Sequence, residues 1–476
     1  MLASQHHRGS PVLTVGTFLV ILAAPIPLTR LSAVGGSLML HDVSVVDVEH
    51  AAVRAHQDVT ITDGIIATVL STASAAPSTA TIVDGSGTYV IPGLWDMHVH
   101  LSAAGADSLP LFVANGVLGV RDMGTDLAVV RRWRQDGHGR VAPRIMGAGA
   151  LLDSQRFLTH VERVDQMVAD RGVQPLAFDP PVQRVSLSAA AEVPSAVDRV
   201  VALEGVFVKV RTYESPDVFF AIAREAKRRG LRFAGHSPAE SVSWSEAALA
   251  GMTSIEHMGG SYAAQLGQLS PADRRAVYEG LIRGGAFVDP NVVCEIIRAM
   301  PDTQARALVN AAAAGPMTYN PWSTPQLKDL FRRELAIRIL EKQVAPAPDW
   351  AATSRQEFTL LKELSSSGVP VLAGTDLGSL LIYPGFSLHD ELQGLVDQVG
   401  LTPAEALRAA TITPARFFEA ASWGRVAGGQ RADVVLLDGN PLENIRMTRR
   451  IRGVVLDGKY YNRSSLDTLL RFGGSR

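Results

Sequence analysis

The chain has 476 residues, of which 47% are apolar and 19% charged, and its formal net charge is −2. This composition excludes a disordered chain, and it excludes a strongly basic nucleic-acid binder, because phosphate contacts require clustered lysine and arginine. The single cysteine, Cys294, excludes an internal disulfide and a cysteine-rich metal site, so any metal would need histidine, carboxylate or a modified side chain.

The N-terminal segment, residues 1–36, contains an apolar run from Val12 to Ala24 that follows Arg8. The run is too short to cross a bilayer, so we expect no stable membrane span. A basic start, a short apolar run and small residues after it predict a signal peptide and export to the periplasm or the medium. Two alternatives stay open: an uncleaved hydrophobic segment, or a tail left by a start codon placed too far upstream, which would leave the protein in the cytoplasm.

The two ends of the chain have a similar β-type composition. Short runs rich in Val, Ile and Thr occupy residues 37–90 and return in residues 425–476. Asp63-Gly64 stands between two of these runs and predicts a hairpin turn. Because isolated hairpins are rarely stable, we predict that both chain ends build one small β-sandwich domain.

Between the two ends, residues 91–424 alternate short apolar strands with helix-like segments that end in glycine. Eight strands separated by helices predict an α/β fold, a (β/α)8 TIM barrel. The predicted helices include residues 216–230, 271–285 and 353–368. The predicted strands end near His100, Asp122, Ala148, Val210, His236, His257, Pro290 and Asp376.

Further features refine this barrel. Thr402 and Glu405 have capping-box spacing, which predicts a helix start after the last strand. Residues 148–205 and 291–365 leave wide gaps in the alternation, and we interpret them as loop-plus-helix insertions on the functional face of the barrel.

Metal-ligating residue types stand at several predicted strand ends. His98 and His100 are two apart on one strand, so their imidazoles point to the same side at its carboxyl end, where barrel active sites lie. Alone, this pair fits a metal site and a surface pair equally well. His236, His257 and Asp376 follow three further apolar runs. Together the five residues predict a metal site.

The motifs PGLWDMHVHL, GH, EHM and AGTD, in this order, resemble those of the metal-dependent amidohydrolase superfamily. The resemblance covers the chain from about Leu38 to Tyr461. The segment ANGVLGVRDMG and the valine-flanked Lys209 resemble the prolidase-like branch, whose members hydrolyse dipeptides and N-acyl amino acids. The first insertion and the RTYESPD loop depart from the dipeptidase pattern, which leaves the substrate open.

The resemblance implies a cofactor. In binuclear members of the superfamily, a lysine at the position of Lys209 is carboxylated by carbon dioxide, and the carbamate bridges two metals. We therefore expect two divalent metal ions, with zinc as the expected identity, and a carbamate on Lys209. The alternative is a structural lysine paired to a carboxylate, which would indicate a mononuclear site.

The resemblance also implies the roles of the ligands. One metal ion, the more buried, would be held by His98, His100 and Asp376, and the more exposed one by His236 and His257. A metal-bound hydroxide would be the nucleophile. Asp376 would accept its proton and pass it to the departing nitrogen.

Other polar residues have weaker indications. Tyr213, four residues after Lys209, is a candidate catalytic residue, because a phenol could donate to an oxyanion; a surface aromatic is the alternative. Arg211 and Arg121 could bind a substrate carboxylate or form structural ion pairs. For His160, in the first insertion, we favour a solvated loop position over contact with substrate. For His389 we favour a structural role over contact with substrate.

These features predict a metal-dependent amidohydrolase that cleaves the C–N bond of a small-molecule amide, such as a dipeptide or an N-acyl amino acid. The alternative is a mononuclear cyclic-amide hydrolase or deaminase resembling imidazolonepropionase. Such enzymes lack the bridging lysine, so Lys209 argues against it. A scaffold without catalysis is disfavoured because all six ligand positions are filled. Association into a homo-oligomer is left open.

Overall fold

The computed structural model describes residues 37–72, 80–136, 141–172, 183–238, 241–314, 324–344 and 348–472. The predicted signal segment, residues 1–36, lies outside these ranges and stays a prediction. Among the helices in these ranges, none combines the length and the apolar character needed to cross a membrane.

The described residues form strands and α-helices that alternate through the middle of the chain. The strands are β1 Ser37–Asp47, β2 Ala52–Thr62, β3 Ile65–Ser71, β4 Thr81–Asp84, β5 Tyr89–Pro92, β6 Leu94–Val99, β7 Val117–Asp122, β8 Arg144–Gly147, β9 Leu151–Ser154, β10 Arg184–Leu187, β11 Phe207–Val210, β12 Arg232–His236, β13 Met252–Glu256, β14 Phe287–Asp289, β15 Val434–Leu437, β16 Ile451–Leu456 and β17 Lys459–Asn462. The α-helices are α1 Leu101–Ala104, α2 Leu109–Ala114, α3 Leu127–Asp136, α4 Gln155–Ala169, α5 Val193–Ala202, α6 Pro216–Arg228, α7 Trp244–Ala250, α8 Gly260–Gln268, α9 Pro271–Gly284, α10 Val292–Ala299, α11 Asp302–Ala314, α12 Pro325–Val344, α13 Trp350–Ser366, α14 Phe386–Asp397, α15 Pro403–Ala409, α16 Ile412–Phe417 and α17 Arg463–Phe472.

Both chain ends contribute to one mixed sheet. Its strand order is β17-β16-β15-β5-β1-β2-β3, with β4 paired to β1. Strands β15 and β5 are antiparallel, and Val435 lies opposite Ile91. The predicted hairpin at Asp63-Gly64 joins the antiparallel strands β2 and β3. The ends therefore share one sheet, while its packing as a two-layer sandwich stays a prediction.

The middle of the chain has a TIM-barrel-like α/β arrangement of parallel strands and helices. One parallel sheet has the order β6-β7-β8, and the other has the order β10-β9-β11-β12-β13-β14. Backbone hydrogen bonds connect them, since Val206 N donates to Gly147 O at 2.9 Å. On the other side, Leu372 N donates to Val288 O at 2.8 Å, and Asp376 N donates to His98 O at 2.8 Å.

An eighth regular strand was predicted to end near Asp376, and this prediction is wrong. Among the described residues, this segment forms isolated bridges instead, including Val288 with Val371 and Val99 with Leu377. Pro370 has no N–H to donate to a ladder, and Asp376 has a left-handed backbone with φ of 55°. The two parallel sheets are thus linked by an irregular segment rather than by one continuous ladder.

The other predicted strand ends agree with the structure within one residue. Strands β7, β11 and β12 end at the predicted residues, and β6, β8, β13 and β14 end one residue earlier. The predicted helix start at Thr402 is confirmed, since α15 has a capping box with Glu405. Helices α6, α9 and α13 occupy the three predicted helical segments.

The first insertion differs from its prediction as a loop plus a helix. It contains the short parallel strands β9 and β10 in addition to helices α4 and α5. Strand β9 also pairs with β11, with Leu151 opposite Lys209. The second insertion contains helices α10, α11, α12 and α13.

One large hydrophobic core extends from the helices and parallel strands into the terminal sheet. It includes Val46, Ile91, Val435 and Leu437 of the terminal sheet together with many residues of the middle region. A smaller core lies within the terminal sheet itself. The terminal sheet therefore packs against the parallel strands and helices that carry the predicted metal site.

Candidate functional site

Strand β6 presents two predicted ligands at its carboxyl end. His98 is fully buried, whereas the side chain of His100 is 21% exposed. Their ring centroids lie 5.5 Å apart. The alternation of side chains along β6 turns both imidazoles to one side, as the sequence spacing requires.

Two further histidines lie beside this pair. His236 ends β12, and His257 directly follows β13. Their ring centroids are 4.8 Å apart, and the His257 ring is 5.1 Å from that of His98. His257 has a φ of 62°, a left-handed conformation that is uncommon outside glycine and is often found at functional sites.

Asp376 connects the histidines of β6 with His257. Its Oδ1 lies 3.4 Å from Nε2 of His98 and 3.4 Å from Nε2 of His100. Ser379 donates a hydrogen bond to its Oδ2 at 2.8 Å. Ligand atoms of His98, His257 and Asp376 all lie within 4.8 Å of one another, which makes this trio a candidate metal-binding group.

Lys209 lies on β11 and is fully buried. Within the described residues, its Nζ has no hydrogen-bond partner. Burial lowers the pKa of Lys209 to about 8, while the charge of Glu256 acts in the opposite direction. A neutral amine is therefore accessible at mildly alkaline pH, as carboxylation by carbon dioxide requires.

Burial holds three of the site imidazoles, those of His98, His236 and His257, in their neutral form. Burial lowers the pKa of His98 to about 3 and that of His257 to about 4, and it brings the pKa of His236 well below the usual value. The charge of Lys209 lowers all three pKa values further. Neutral imidazole is the form that binds metals.

Asp376 is held in its ionised form. Burial raises the pKa of Asp376, but the electrostatic interaction with the adjacent His98 ring and a hydrogen bond with His100 outweigh this effect and hold the pKa well below its ordinary value. A carboxylate between imidazoles can coordinate a cation or accept a proton.

A cleft of 540 Å³ is lined by His100, His236 and Asp376. The two insertions supply much of its remaining wall, through helices α4 and α12. Their apolar lining residues are Phe157, Val161, Val164, Leu330 and Ile337, and their polar lining residues are His160, Asp165, Arg333, Glu334 and Glu341. The predicted ligands thus open onto a cavity large enough for a small molecule.

Three arginines line the described part of this cleft, and they differ in their partners. Arg184 forms an ion pair with Asp153 at 3.0 Å, and Arg333 forms one with Glu334 at 2.9 Å. No ion pair holds Arg211 among the described residues; its guanidinium stacks over the Phe157 ring at 4.3 Å. Burial lowers the pKa of Arg211, and the charge of Arg184 adds to this effect. Arg211 is therefore a partly desolvated cation at the cleft.

Tyr213, the candidate catalytic residue after Lys209, lies away from the described lining of the cleft. Tyr213 is 9% exposed and packs on Phe219, with ring centroids 5.1 Å apart, and it is not among the described residues that line the cleft. Its catalytic role stays a prediction.

The two other candidate histidines differ in their surroundings. His160 is exposed on α4 and does line the cleft. His389 is buried and lies 3.0 Å from Thr448 Oγ1 and 3.0 Å from the backbone oxygen of Asn115, which fits a structural role.

Arg121 is fully buried beneath the histidines, and its guanidinium contacts protein groups on several sides. It donates to Glu256 Oε2 at 2.7 Å and to Asp289 Oδ2 at 3.2 Å. The structure thus favours the ion-pair alternative for Arg121 over contact with substrate.

Two buried carboxylates beside the histidines, Glu256 and Asp289, were not predicted from the sequence. The EHM motif contained a signal for Glu256. Glu256 and Ser254 are two residues apart on one strand, so their side chains point to the same side. Asp289 ends β14 just before the predicted end of that strand.

Known proteins resemble this chain in sequence and in fold. Residues 89–460 match the sequence profile of the Amidohydrolase family. A stretch of 90 residues is 36% identical to ochratoxinase of Aspergillus niger, and this match spans 18% of the chain and 18% of that protein. In this match the chain spans less than a fifth of the length of the curated relative.

Solved structures resemble the whole fold. Bottromycin amidohydrolase has a TM-score of 0.67 at 23% identity, with 92% of this chain and 89% of that chain covered. An Xaa-Pro dipeptidase with bound methionine has a TM-score of 0.64 at 18% identity, covering 90% and 100% of the two chains. The ochratoxinase of A. niger has a TM-score of 0.63 at 19% identity, covering 90% and 96%.

At these identities, structural likeness establishes the fold alone. The family match, in contrast, extends over most of the chain and includes every predicted ligand. The chain belongs to the amidohydrolase family.

Proposed function

We propose that the cluster at the strand ends holds two divalent metal ions, with zinc as the expected identity. The more buried ion would be bound by His98, His100 and Asp376, the more exposed one by His236 and His257, and a carbamate on Lys209 would lie between them. Unpaired nitrogens support this proposal. Among the described residues, Nε2 of His98, Nδ1 of His257 and Nζ of Lys209 are buried without a hydrogen bond. Buried polar atoms rarely remain unpaired, so a ligand at this position would satisfy them.

When bound, divalent metals at such a site lower the pKa of water and polarise a substrate carbonyl. The side chain of Asp376 then moves the proton. Its low pKa keeps it ionised, so that an oxygen lone pair is available for the proton of the attacking water, and Ser379 donates a hydrogen bond to its Oδ2. Transfer of that proton to the departing nitrogen completes cleavage of the amide.

For the substrate we propose an amide that bears a carboxylate, such as a dipeptide or an N-acyl amino acid. Arg211 supports this choice, since it is the lining arginine without an ion pair among the described residues. A guanidinium binds a carboxylate through paired hydrogen bonds. The apolar residues of α4 and α12 would then contact the acyl or side-chain part of the substrate.

A mononuclear cyclic-amide hydrolase or deaminase is the second candidate. The observation in its favour is that His98, His257 and Asp376 alone form a compact group of three ligands. Lys209 would then have a structural role, and its replacement would leave the metal content unchanged.

A panel of substrates tests the proposed function. N-acyl amino acids and dipeptides should be hydrolysed, and treatment with a chelator should abolish turnover until zinc is restored. C-terminally amidated versions of the same compounds should be poorer substrates. Turnover of cyclic amides or amino-heterocycles, with no turnover of the carboxylate-bearing amides, would favour the second candidate.

A further inference from the structure

A buried polar network lies directly beneath the histidine cluster. Arg121 of β7, Ser254 and Glu256 of β13 and Asp289 of β14 are all fully buried. The Arg121 guanidinium donates to Ser254 Oγ at 2.8 Å, to Glu256 Oε2 at 2.7 Å and to Asp289 Oδ2 at 3.2 Å. The hydroxyl of Ser254 in turn donates to Glu256 Oε1. Both oxygens of Glu256 are therefore fixed in place by hydrogen bonds.

The same carboxylate faces His98. Glu256 Oε2 lies 3.2 Å from His98 Nδ1, while Nε2 of the same ring lies 3.4 Å from Asp376 Oδ1. The imidazole thus stands between a carboxylate of the buried network and a carboxylate of the candidate metal group. A neutral imidazole carries one ring N–H, so it can donate a hydrogen bond to only one of these two carboxylates.

His98, Glu256 and Asp289 also form a compact group of potential ligands. A second metal site at this position is disfavoured, because the Arg121 guanidinium already bonds to both carboxylates. A permanent cation occupies the place that a metal ion would take. The network therefore provides an acceptor for His98 rather than a site of its own.

We propose that Glu256, held by Arg121 and Ser254, is a positioning residue that keeps the His98 ring proton on Nδ1 and leaves Nε2 free to bind metal. The proposal rests on the metal-binding role of His98 in the proposed function. Carboxylates behind metal-binding histidines fix the tautomer and the ring orientation, and their loss typically lowers metal affinity 10- to 100-fold. Arg121 acts one step further away, by supplying the charge that a buried carboxylate needs.

The variant Glu256→Gln tests this role. Its amide keeps the size of the side chain but removes the negative charge. At the position of Oε2, which both accepts from Arg121 and faces His98, the amide presents either a neutral oxygen, a weaker acceptor, or an N–H that cannot accept from either the ring or the guanidinium. Nitrogen NMR of the metal-free protein with labelled histidine, with the His98 signals assigned by their loss in His98→Asn, reports the ring tautomer. We expect the Nδ1-protonated form in the wild type and a shift toward the Nε2-protonated form in the variant. Zinc affinity, measured by competition with a chelator, should fall about 10- to 100-fold.

Glu391→Gln is the matched control. Glu391 is also fully buried, but its Oε2 accepts from the backbone of Val293 at 2.7 Å, and no contact with His98 occurs among the described residues. This control should retain the wild-type His98 tautomer and zinc affinity. If Glu256→Gln does not fold, Ser254→Ala removes only the hydroxyl bonded to Glu256 and should change both readouts in the same direction to a smaller extent.

An unchanged His98 tautomer in the folded variant would overturn the proposal, whether or not zinc affinity falls. A changed tautomer with wild-type zinc affinity would also overturn it. Failure of the wild type to bind any divalent metal would instead contradict the proposed function. The tautomer of the metal-free protein would still show whether Glu256 positions the ring.

Discussion

Arg211 is the single residue whose charge is proposed to select the substrate. Replacement by glutamine removes the guanidinium and should weaken binding of a carboxylate-bearing amide by about 1.5–3 kcal/mol, the range for a hydrogen bond to a charged group. The expected result is a rise in KM of about 10- to 100-fold with a small change in kcat. Steady-state kinetics on an N-acyl amino acid measures both constants.

Arg184→Gln is a useful comparison for this experiment, because Arg184 also lines the cleft but is paired with Asp153. It should raise KM less than Arg211→Gln does. Equal losses on the carboxylate-bearing substrate and on its neutral amide would show that Arg211 does not bind the carboxylate.

Lys209 should make metal loading depend on pH. Its pKa is lowered to about 8 by burial, so the neutral amine that reacts with carbon dioxide increases as the pH rises through this value. The experiment starts from protein depleted of bicarbonate and metal, and it follows the return to two metal ions per chain at constant dissolved carbon dioxide. We expect this return to be faster at pH 8.5 than at pH 7. Recovery that is independent of pH would argue against carboxylation of this amine.

At the scale of elements, helices α10 and α13 place two carboxyl groups together in the protein interior. Glu295 is 3% exposed and Glu357 is 1% exposed, and Arg298 pairs with Glu295 at 2.9 Å. Burial raises the pKa of Glu357 to about 8, and the charge of Glu295 raises it further. In the unfolded chain this group titrates near pH 4.3. The wild type should therefore lose stability as the pH rises from about 4.3 through 8, because the folded protein resists ionisation of Glu357.

Glu357→Gln removes this titration. Its free energy of unfolding relative to the wild type should increase with pH over that window, reaching about 1–3 kcal/mol above pH 8, the cost of an unsatisfied buried group. Denaturant unfolding at several pH values measures the difference. The exposed Glu341→Gln should show no such trend. A pH-independent difference for Glu357→Gln would contradict the expected ionisation.

The strand ends at the four candidate histidines could be predicted from the sequence, because each follows an apolar run that must be buried. For this reason the strand that carries His236 ends at the predicted residue, and the strand before His257 ends one residue earlier than predicted. The segment before Asp376 also follows this pattern, but it forms isolated bridges instead of a regular strand.

The contacts of Arg121 could not be predicted, since its partners Glu256 and Asp289 are far along the chain and only the fold brings them together. Strands β9 and β10 were missed because both lie in the wide gap of residues 148–205, which was interpreted as a loop plus a helix.

At the scale of the whole molecule, the terminal sheet and the parallel strands share one hydrophobic core. Leu437 of β15 is fully buried in that core. Leu437→Ala should lower the free energy of unfolding by about 2–5 kcal/mol through lost burial and the resulting cavity. The matched variant Leu249→Ala, at a position that is 61% exposed, should change it by about 0.5 kcal/mol or less.

Chemical denaturation of both variants gives these values. A small effect of Leu437→Ala would show that the terminal sheet is not coupled to the rest of the protein. A separate early transition in Leu437→Ala would show that the terminal sheet unfolds as its own unit.

The most direct test of the proposed binuclear centre is metal content by elemental analysis of the protein purified in bicarbonate buffer. Lys209→Ala is measured beside the wild type, with the exposed Lys227→Ala as control. We expect about two divalent metal ions per chain in the wild type and the control, and about one or fewer in Lys209→Ala. One metal ion per chain in all three proteins would contradict the bridging role of Lys209 and would favour the mononuclear alternative.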